Sequence, residues 1–174
     1  MKIKMLEYFM KVAHITAELS YAKRLKVGTV IVKDNRIISC GYNGLPAGWT
    51  PNDCEREIIV DDKTYQKLSD EDKVRFEGYN HYNNIDGLYY PVNQWKGLKT
   101  FDEVIHSEAN AVSRLARSTE SGVGAALFCT HSPCLQCSKI IYGAGITSVY
   151  YEHDYRLNDG IEFLKKCGIS VTKL

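Results

Sequence analysis

The residues best able to do chemistry are His106 and Glu108, in VIHSEANAV at 104–112, and Cys134 and Cys137, in THSPCLQC at 130–137. Imidazole and thiolate are the donors zinc prefers, and a catalytic zinc keeps three protein ligands with a fourth position open to water. His106, Cys134 and Cys137 make such a set, and Glu108 is a carboxylate within reach of that water. A carboxylate so placed can take a proton and pass it to a leaving group. Each fragment alone admits a plainer reading, since CxxC also serves redox and structural roles and HxE arises by chance. The specific signal is the pair, carried on neighbouring elements.

Those elements are legible in the spacing of apolar and turn residues. HSEANAVSRLAR reads as a helix with Ala109, Val112, Leu115 and Ala116 facing inward, and AALFCTH as a short buried strand. Pro133 at the first turn and glycine at the end mark CLQCSKIIYGAG as a second helix. Started at Pro133, it puts Cys134 and Cys137 on one face of its first turn, where the positive helix end favours thiolates. ITSVYYEHDY, NDGIEFLKKCG and ISVTKL follow as strand, amphipathic helix and strand. Upstream, Ile3, Leu6, Phe9, Met10, Ala13 and Ala17 recur at helical spacing, and two β-rich runs flank Lys33-Asp34-Asn35-Arg36 as a hairpin. GYNGLPAGW then breaks regular structure. Residues 50–103 are rich in Asp, Glu, Lys and Tyr, with one modest helical stretch near 61–78. They read as an insertion on a single domain, 1–174, with too few aliphatics for a core of their own. The order predicts a three-layer α/β/α domain around a central mixed sheet of about five strands.

Composition narrows the class. With 174 residues and 44% hydrophobic content the chain can bury a real core. No apolar run reaches the roughly 18 residues of a membrane span, and charges interrupt the first helix too often for a signal peptide. Six cysteines without a secretory signal point to a reducing cytoplasm and away from a disulfide framework. Cys40, Cys129 and Cys167 read as structural, and Cys54 is open. A net charge of +1 gives no broad footprint for a polynucleotide, while a local cluster still suits a small charged substrate.

H-x-E followed by P-C-x-x-C is the signature of zinc nucleobase deaminases. Over 1–49 and 104–174 the sequence resembles the cytidine/deoxycytidylate deaminase superfamily; KVGTVIVKDNRIISCGYNGLPAG and THSPCLQC bring it nearest to the deoxycytidylate (dCMP) deaminases. The resemblance implies a cytidine-deaminase-like fold, one catalytic Zn2+ per chain, hydroxide attack on C4 of cytosine, loss of ammonia, and dUMP for thymidylate synthesis. Glu108 would protonate N3 and then the departing amine. A second zinc, held by cysteines in some relatives, is not expected because SYAKRLKVG has none.

Candidate substrate residues come partly from residue chemistry and partly from the resemblance. Asn43 lies in a glycine-flanked turn where backbone can approach a ligand, and the family likeness assigns it to the sugar; a plain turn-former is the alternative. Arg24 suits phosphate through its bidentate fork, while Lys23 and Lys26 equally suit a solvated helix-end cluster. The resemblance places Tyr155 beside the base with Arg156 near it, and gives the Ser132 carbonyl to the 4-amino group, leaving the Ser132 side chain without a role. His131 reads as a neighbour of the phosphate or as an ordinary surface histidine. The resembled enzymes are often homohexamers, activated by dCTP with Mg2+ and inhibited by dTTP. Such an effector site would use Gly41, Tyr42 and Gly44, with Lys23 and Lys26 holding the triphosphate. Two rivals remain. One is a zinc deaminase acting on dCTP or on a polynucleotide cytosine or adenine, which would need a basic channel and steep salt dependence. The other is a zinc-stabilised binding module without turnover, which leaves Glu108 and Asn43 without a purpose.

Overall fold

In the computed structural model, which describes residues 2–68, 73, 76–85, 88–155 and 157–174 (76–85 and 88–93 as backbone alone), the contacts fall into two units, Met1–Asp53 with Glu103–Leu174, and Cys54–Asp102. The first unit contains α1 (Ile3–Ala17), β1 (Gly28–Lys33), β2 (Arg36–Tyr42) and, after the second unit, the remaining helices and strands. The second unit contains β3 (Glu55–Asp61), α2 (Asp62–Gln66), β4 (Phe76–Ile85) and β5 (Leu88–Thr100). The first unit resumes with α3 (Ser107–Leu115), β6 (Ala126–His131), α4 (Leu135–Gly143), β7 (Ser148–His153), α5 (Asp159–Lys166) and β8 (Ser170–Lys173).

The five-stranded sheet of the first unit runs β2-β1-β6-β7-β8, with β1 antiparallel to both neighbours and β6, β7 and β8 parallel. Strand alternation sends Val30, Val32 and Phe128 to one face, where Phe9, Met10 and Ala13 of α1 cover them. Ile31, Leu127, Cys129 and Val149 face the other way, against Ala111 and Leu115 of α3, Ile141 of α4 and Leu164 of α5. Three layers result, in the mixed five-stranded α/β arrangement that the residue pattern predicts. A sheet covered on both faces needs apolar residues throughout, and β1 is buried along nearly its whole length. The β1–β2 hairpin closes through Asp34 and Asn35, whose φ of 50° and 58° match the left-handed turn that strand twist prefers.

Two predicted boundaries shift. The buried face of α3 is Ser107, Glu108, Ala111 and Leu115, whereas Ala109 is half-buried and Ala116 exposed. Polar site residues occupy the inward stripe, so a purely apolar pattern rotates the helix. α4 starts at Leu135, and Cys134 is its N-cap rather than a first-turn residue.

In the second unit β3, β5 and β4 form an antiparallel sheet in that order, paired from Glu55↔Thr100 and from Ile85↔Leu88. The three strands add to the one helical stretch that the sequence predicts there, and the predicted helix near 61–78 narrows to α2, with β4 already begun at Phe76; residues 69–72, 74 and 75 lie outside the described residues. Polar and aromatic residues can satisfy a ladder's backbone bonds without an aliphatic pattern. Tyr65 stacks on Trp95 at 3.6 Å, and the indole donates to Asp62 Oδ1 at 3.2 Å. The unit begins and ends side by side, Phe101 N donating to Cys54 O at 3.0 Å. No disulfide joins any of the six cysteines, and among the described residues no helix is long and apolar enough to cross a membrane.

Candidate active site

His106 caps the N-terminus of α3, and Cys134 caps α4 with Cys137 in its first turn. Two helix starts therefore point their ends at one another. His106 Nδ1 lies 3.6 Å from Cys134 Sγ and 3.5 Å from Cys137 Sγ. Zn–S near 2.3 Å and Zn–N near 2.0 Å at a tetrahedral angle separate such donors by about 3.5 Å. The residues present thus fit a zinc ion with one ligand position to spare.

The side chains tune one another electrostatically. The Cys137 thiol and then the His106 imidazole bond to Cys134, lowering it to about 3, so Cys134 carries the thiolate. Cys137 is pushed up by its bond to Cys134 and by burial, and His106 is raised by its bond to Cys134. A metal that takes both sulfurs must displace the Cys137 proton. Glu108 is buried, and that burial raises its carboxyl above the usual range while His106 opposes the rise. Such an acid holds a proton readily enough to give it away again.

A buried network that the sequence did not disclose stands behind Glu108. Ser107 Oγ donates to Glu108 Oε2 at 2.9 Å and meets Thr29 Oγ1 at 2.8 Å; Thr29 Oγ1 is 3.2 Å from Cys129 Sγ. Ser107 spends its one hydroxyl proton on Glu108 and Thr29 donates its own to Cys129 Sγ, so the three side chains form one buried chain of contacts behind the carboxyl. Cys129, with its thiol pushed up to about 12 by burial, stays protonated at the far end. Only the H-x-E spacing, which puts Ser107 between two site residues, hinted at this role.

The GYNG turn is tied to the same place by backbone. Gly44 and Ile105 exchange N–H···O bonds of 3.1 and 2.9 Å immediately before His106, and Asn110 Nδ2 donates to Tyr42 O at 2.9 Å. At Gly41 a Cβ would stand 2.4 Å from both Ser107 O and Ala111 N, so only glycine lets β2 press against the first turn of α3. Asn43 accepts from Val27 N and donates to Leu25 O, each at 2.8 Å, while Ser20 Oγ donates to Asn43 O at 2.7 Å. Its amide therefore clips the segment bearing Arg24 and Lys26 to the turn, and one amide hydrogen is left over. Lys23 pairs with Asp53 at 3.7 Å, Arg24 is half-buried and Lys26 exposed.

Ser132 and Tyr155 come together beside the metal ligands. Ser132 N donates to His153 O at 2.8 Å, and Ser132 Oγ accepts from Tyr155 N at 2.7 Å, so the side chain read as roleless anchors the next loop. A cleft of about 350 Å³ opens there, lined by Cys134, Leu135, Gln136, Tyr155, Leu157 and Asp159. Arg156 lies outside the described residues.

With this geometry in view, residues 3–153 match the family model of the cytidine and deoxycytidylate deaminase zinc-binding region. The deoxycytidylate deaminase of Mycobacterium phage D29 is 32% identical over 83% of this chain and 91% of its own length. ComE operon protein 2 of Bacillus subtilis is 30% identical over 97% of this chain and 70% of its own. Among solved structures, the dCMP deaminase of cyanophage S-TIM5 in complex with dCMP and dUMP superposes with a TM-score of 0.73 at 36% identity, covering 100% of this chain and 99% of that one.

Proposed function

Since the chain belongs to the cytidine and deoxycytidylate deaminase family, we propose that it hydrolyses dCMP to dUMP and ammonia, supplying dUMP for thymidylate synthesis. One observation carries this reading: His106 Nδ1 stands at zinc-ligand spacing from two sulfurs, with the buried Glu108 carboxyl in the same turn. Similarity to a deaminase solved with dCMP and dUMP supports the choice of nucleotide.

His106, Cys134 and Cys137 would hold one catalytic zinc, which supplies the Lewis acidity that makes water a nucleophile at neutral pH. Glu108 takes the proton that water gives up and delivers it to N3 of the cytosine. It then takes the proton of the new C4 hydroxyl and carries it to the 4-amino group as the C4–N bond breaks, so that ammonia leaves and C4 keeps the oxygen as a carbonyl. Ser107 and, through it, Thr29 hold the Glu108 carboxyl in place throughout. The Ser132 carbonyl receives the amino group, Tyr155 packs beside the base, Asn43 reads the sugar with its remaining amide hydrogen, and Arg24 takes the phosphate.

The test is ultraviolet absorbance of zinc-loaded protein on dCMP, with deoxycytidine, dCTP and an oligonucleotide as comparisons. A falling trace with dCMP is expected, and a flat one ends this reading. Equal efficiency on deoxycytidine removes the phosphate role of Arg24. Regulation by dCTP–Mg2+ and dTTP in a homohexamer is proposed on the same turn: Gly41, Tyr42 and Gly44 join the Lys23–Lys26 segment to His106, so an effector there could bias the metal ligand. A hyperbolic dCMP curve unmoved by either triphosphate excludes that switch. Six cysteines outside any disulfide favour a reducing, cytoplasmic setting.

A further inference from the structure

A second group of metal-ligating side chains lies outside the catalytic set. His14 comes from α1, and Glu152 and His153 from the end of β7. His14 Nε2 contacts Glu152 Oε2, and one ligand atom from each of His14, Glu152 and His153 lies within 4.8 Å of the others. The His131 ring is 5.1 Å from that of His153, so three of the chain's five histidines gather around one carboxylate. Packing does not ask for this, because the side chains of His14 and Glu152 are 44% and 40% exposed. Pairing does not ask for it either: one imidazole satisfies Glu152, and each further imidazole repels the first when both are charged. Neutral, the same rings are donors.

We propose that His14, Glu152 and His153 form a second divalent-metal site, distinct from the His106, Cys134 and Cys137 set and selective for a zinc-like first-row transition ion. Two imidazoles and a carboxylate suit such an ion, and the absence of an all-oxygen shell disfavours calcium and magnesium. Donors on one zinc stand about 3.3 Å apart, a closure that rotation of half-exposed side chains accomplishes. The ion would cross-link α1 to β7 over a sequence separation of 138 residues. It would also steady the cleft, since His153 O accepts from Ser132 N and Ser132 Oγ accepts from Tyr155 N. The count then rises from the one zinc expected from sequence to two, the second being structural.

Cobalt(II) titration of untagged, metal-stripped protein separates the two sites. Thiolate ligation gives a strong sulfur-to-cobalt band in the near ultraviolet, and imidazole–carboxylate ligation gives none. The wild type is expected to bind two equivalents, one with the sulfur band, and His14→Ala/Glu152→Gln to bind one, with the band intact. Cys134→Ser/Cys137→Ser is expected to bind one equivalent without it. Saturation of the wild type at one equivalent overturns the proposal, as does a second equivalent retained by the His14/Glu152 double variant. The wild-type titration decides even if a variant fails to fold, and neither result depends on whether dCMP is the substrate.

Discussion

At Glu108 the surroundings decide the chemistry. Burial raises its carboxyl, and the Ser107 hydroxyl holds it 2.9 Å away in one orientation. Glu108→Gln keeps the size and the zinc ligands but removes the proton carrier, so turnover should fall by on the order of 10²–10⁴ while metal analysis still finds zinc. Cys134→Ser should lose the metal itself, and the two outcomes are told apart by metal content beside rate. His131 gives a second, independent prediction. Burial first, then the charges of His153 and His14, hold its imidazole below the ordinary value of 6.5. In the window between that value and the folded one, the unfolded state binds more protons. The contribution of His131 is therefore present above pH 6.5 and lost as pH falls through its folded pKa. The melting temperature of the wild type should drop more steeply on acidification below pH 6.5 than that of His131→Gln. Parallel curves in calorimetry would remove His131 from the cause.

Among the elements, the closest fit is between β2 and α3. At Gly41 the backbone of α3 leaves no room for a methyl, with Ser107 O and Ala111 N both 2.4 Å from where it would stand. Gly41→Ala should cost about 1–3 kcal/mol, the usual range for overpacking. At roughly 2–4 °C per kcal/mol for a chain of this size, the shift is readable in a thermal melt. Because Ser107 belongs to the displaced turn, kcat should fall too; a stable, fully active Gly41→Ala would show that the turn yields freely. A second element-scale device is the Asn43 clip. Asn43→Asp keeps the acceptor for Val27 N and loses the donor to Leu25 O. It should raise KM for dCMP more than it lowers kcat, since the segment it releases carries Arg24.

At the scale of the molecule, His106, Glu108, Cys134 and Cys137 all belong to the unit formed by residues 1–53 and 103–174. The other unit, 54–102, enters and leaves through the adjacent strands β3 and β5, with Cys54 O and Phe101 N bonded at 3.0 Å. We read it as an insertion on one domain. A loop whose ends already meet can be shortened at little entropic cost. Replacing 54–102 with a short Gly/Ser linker should leave a folded protein that still binds zinc through His106, Cys134 and Cys137. Loss of both helical signal and metal would make 54–102 part of the fold rather than an addition to it.

The candidate metal ligands His106, Cys134 and Cys137 stood out in the sequence because each of the two motifs is short-range, while the meeting of the motifs across 28 residues is tertiary. H-x-E and P-C-x-x-C each sit within one helix start, and local spacing alone brings their members together. The β1–β2 hairpin, α1 and β1 were legible for the same reason: periodicity is a local property, whereas the order β2-β1-β6-β7-β8 comes from the tertiary structure. Three things required tertiary structure. The inward face of α3 is set by Ser107 and Glu108, polar residues that apolar pattern reading discounts. The strands of 54–102 rest on backbone pairing between residues whose side chains announce little. The gathering of Thr29, Ser107 and Cys129, and of His14 with Glu152 and His153, joins residues as much as 138 positions apart, and only the packing of α1 and α3 on the paired strands β1, β6 and β7 brings them together. Sequence spacing determines which groups a helix or strand presents; which of them meet is decided by the sheet that stacks those elements side by side.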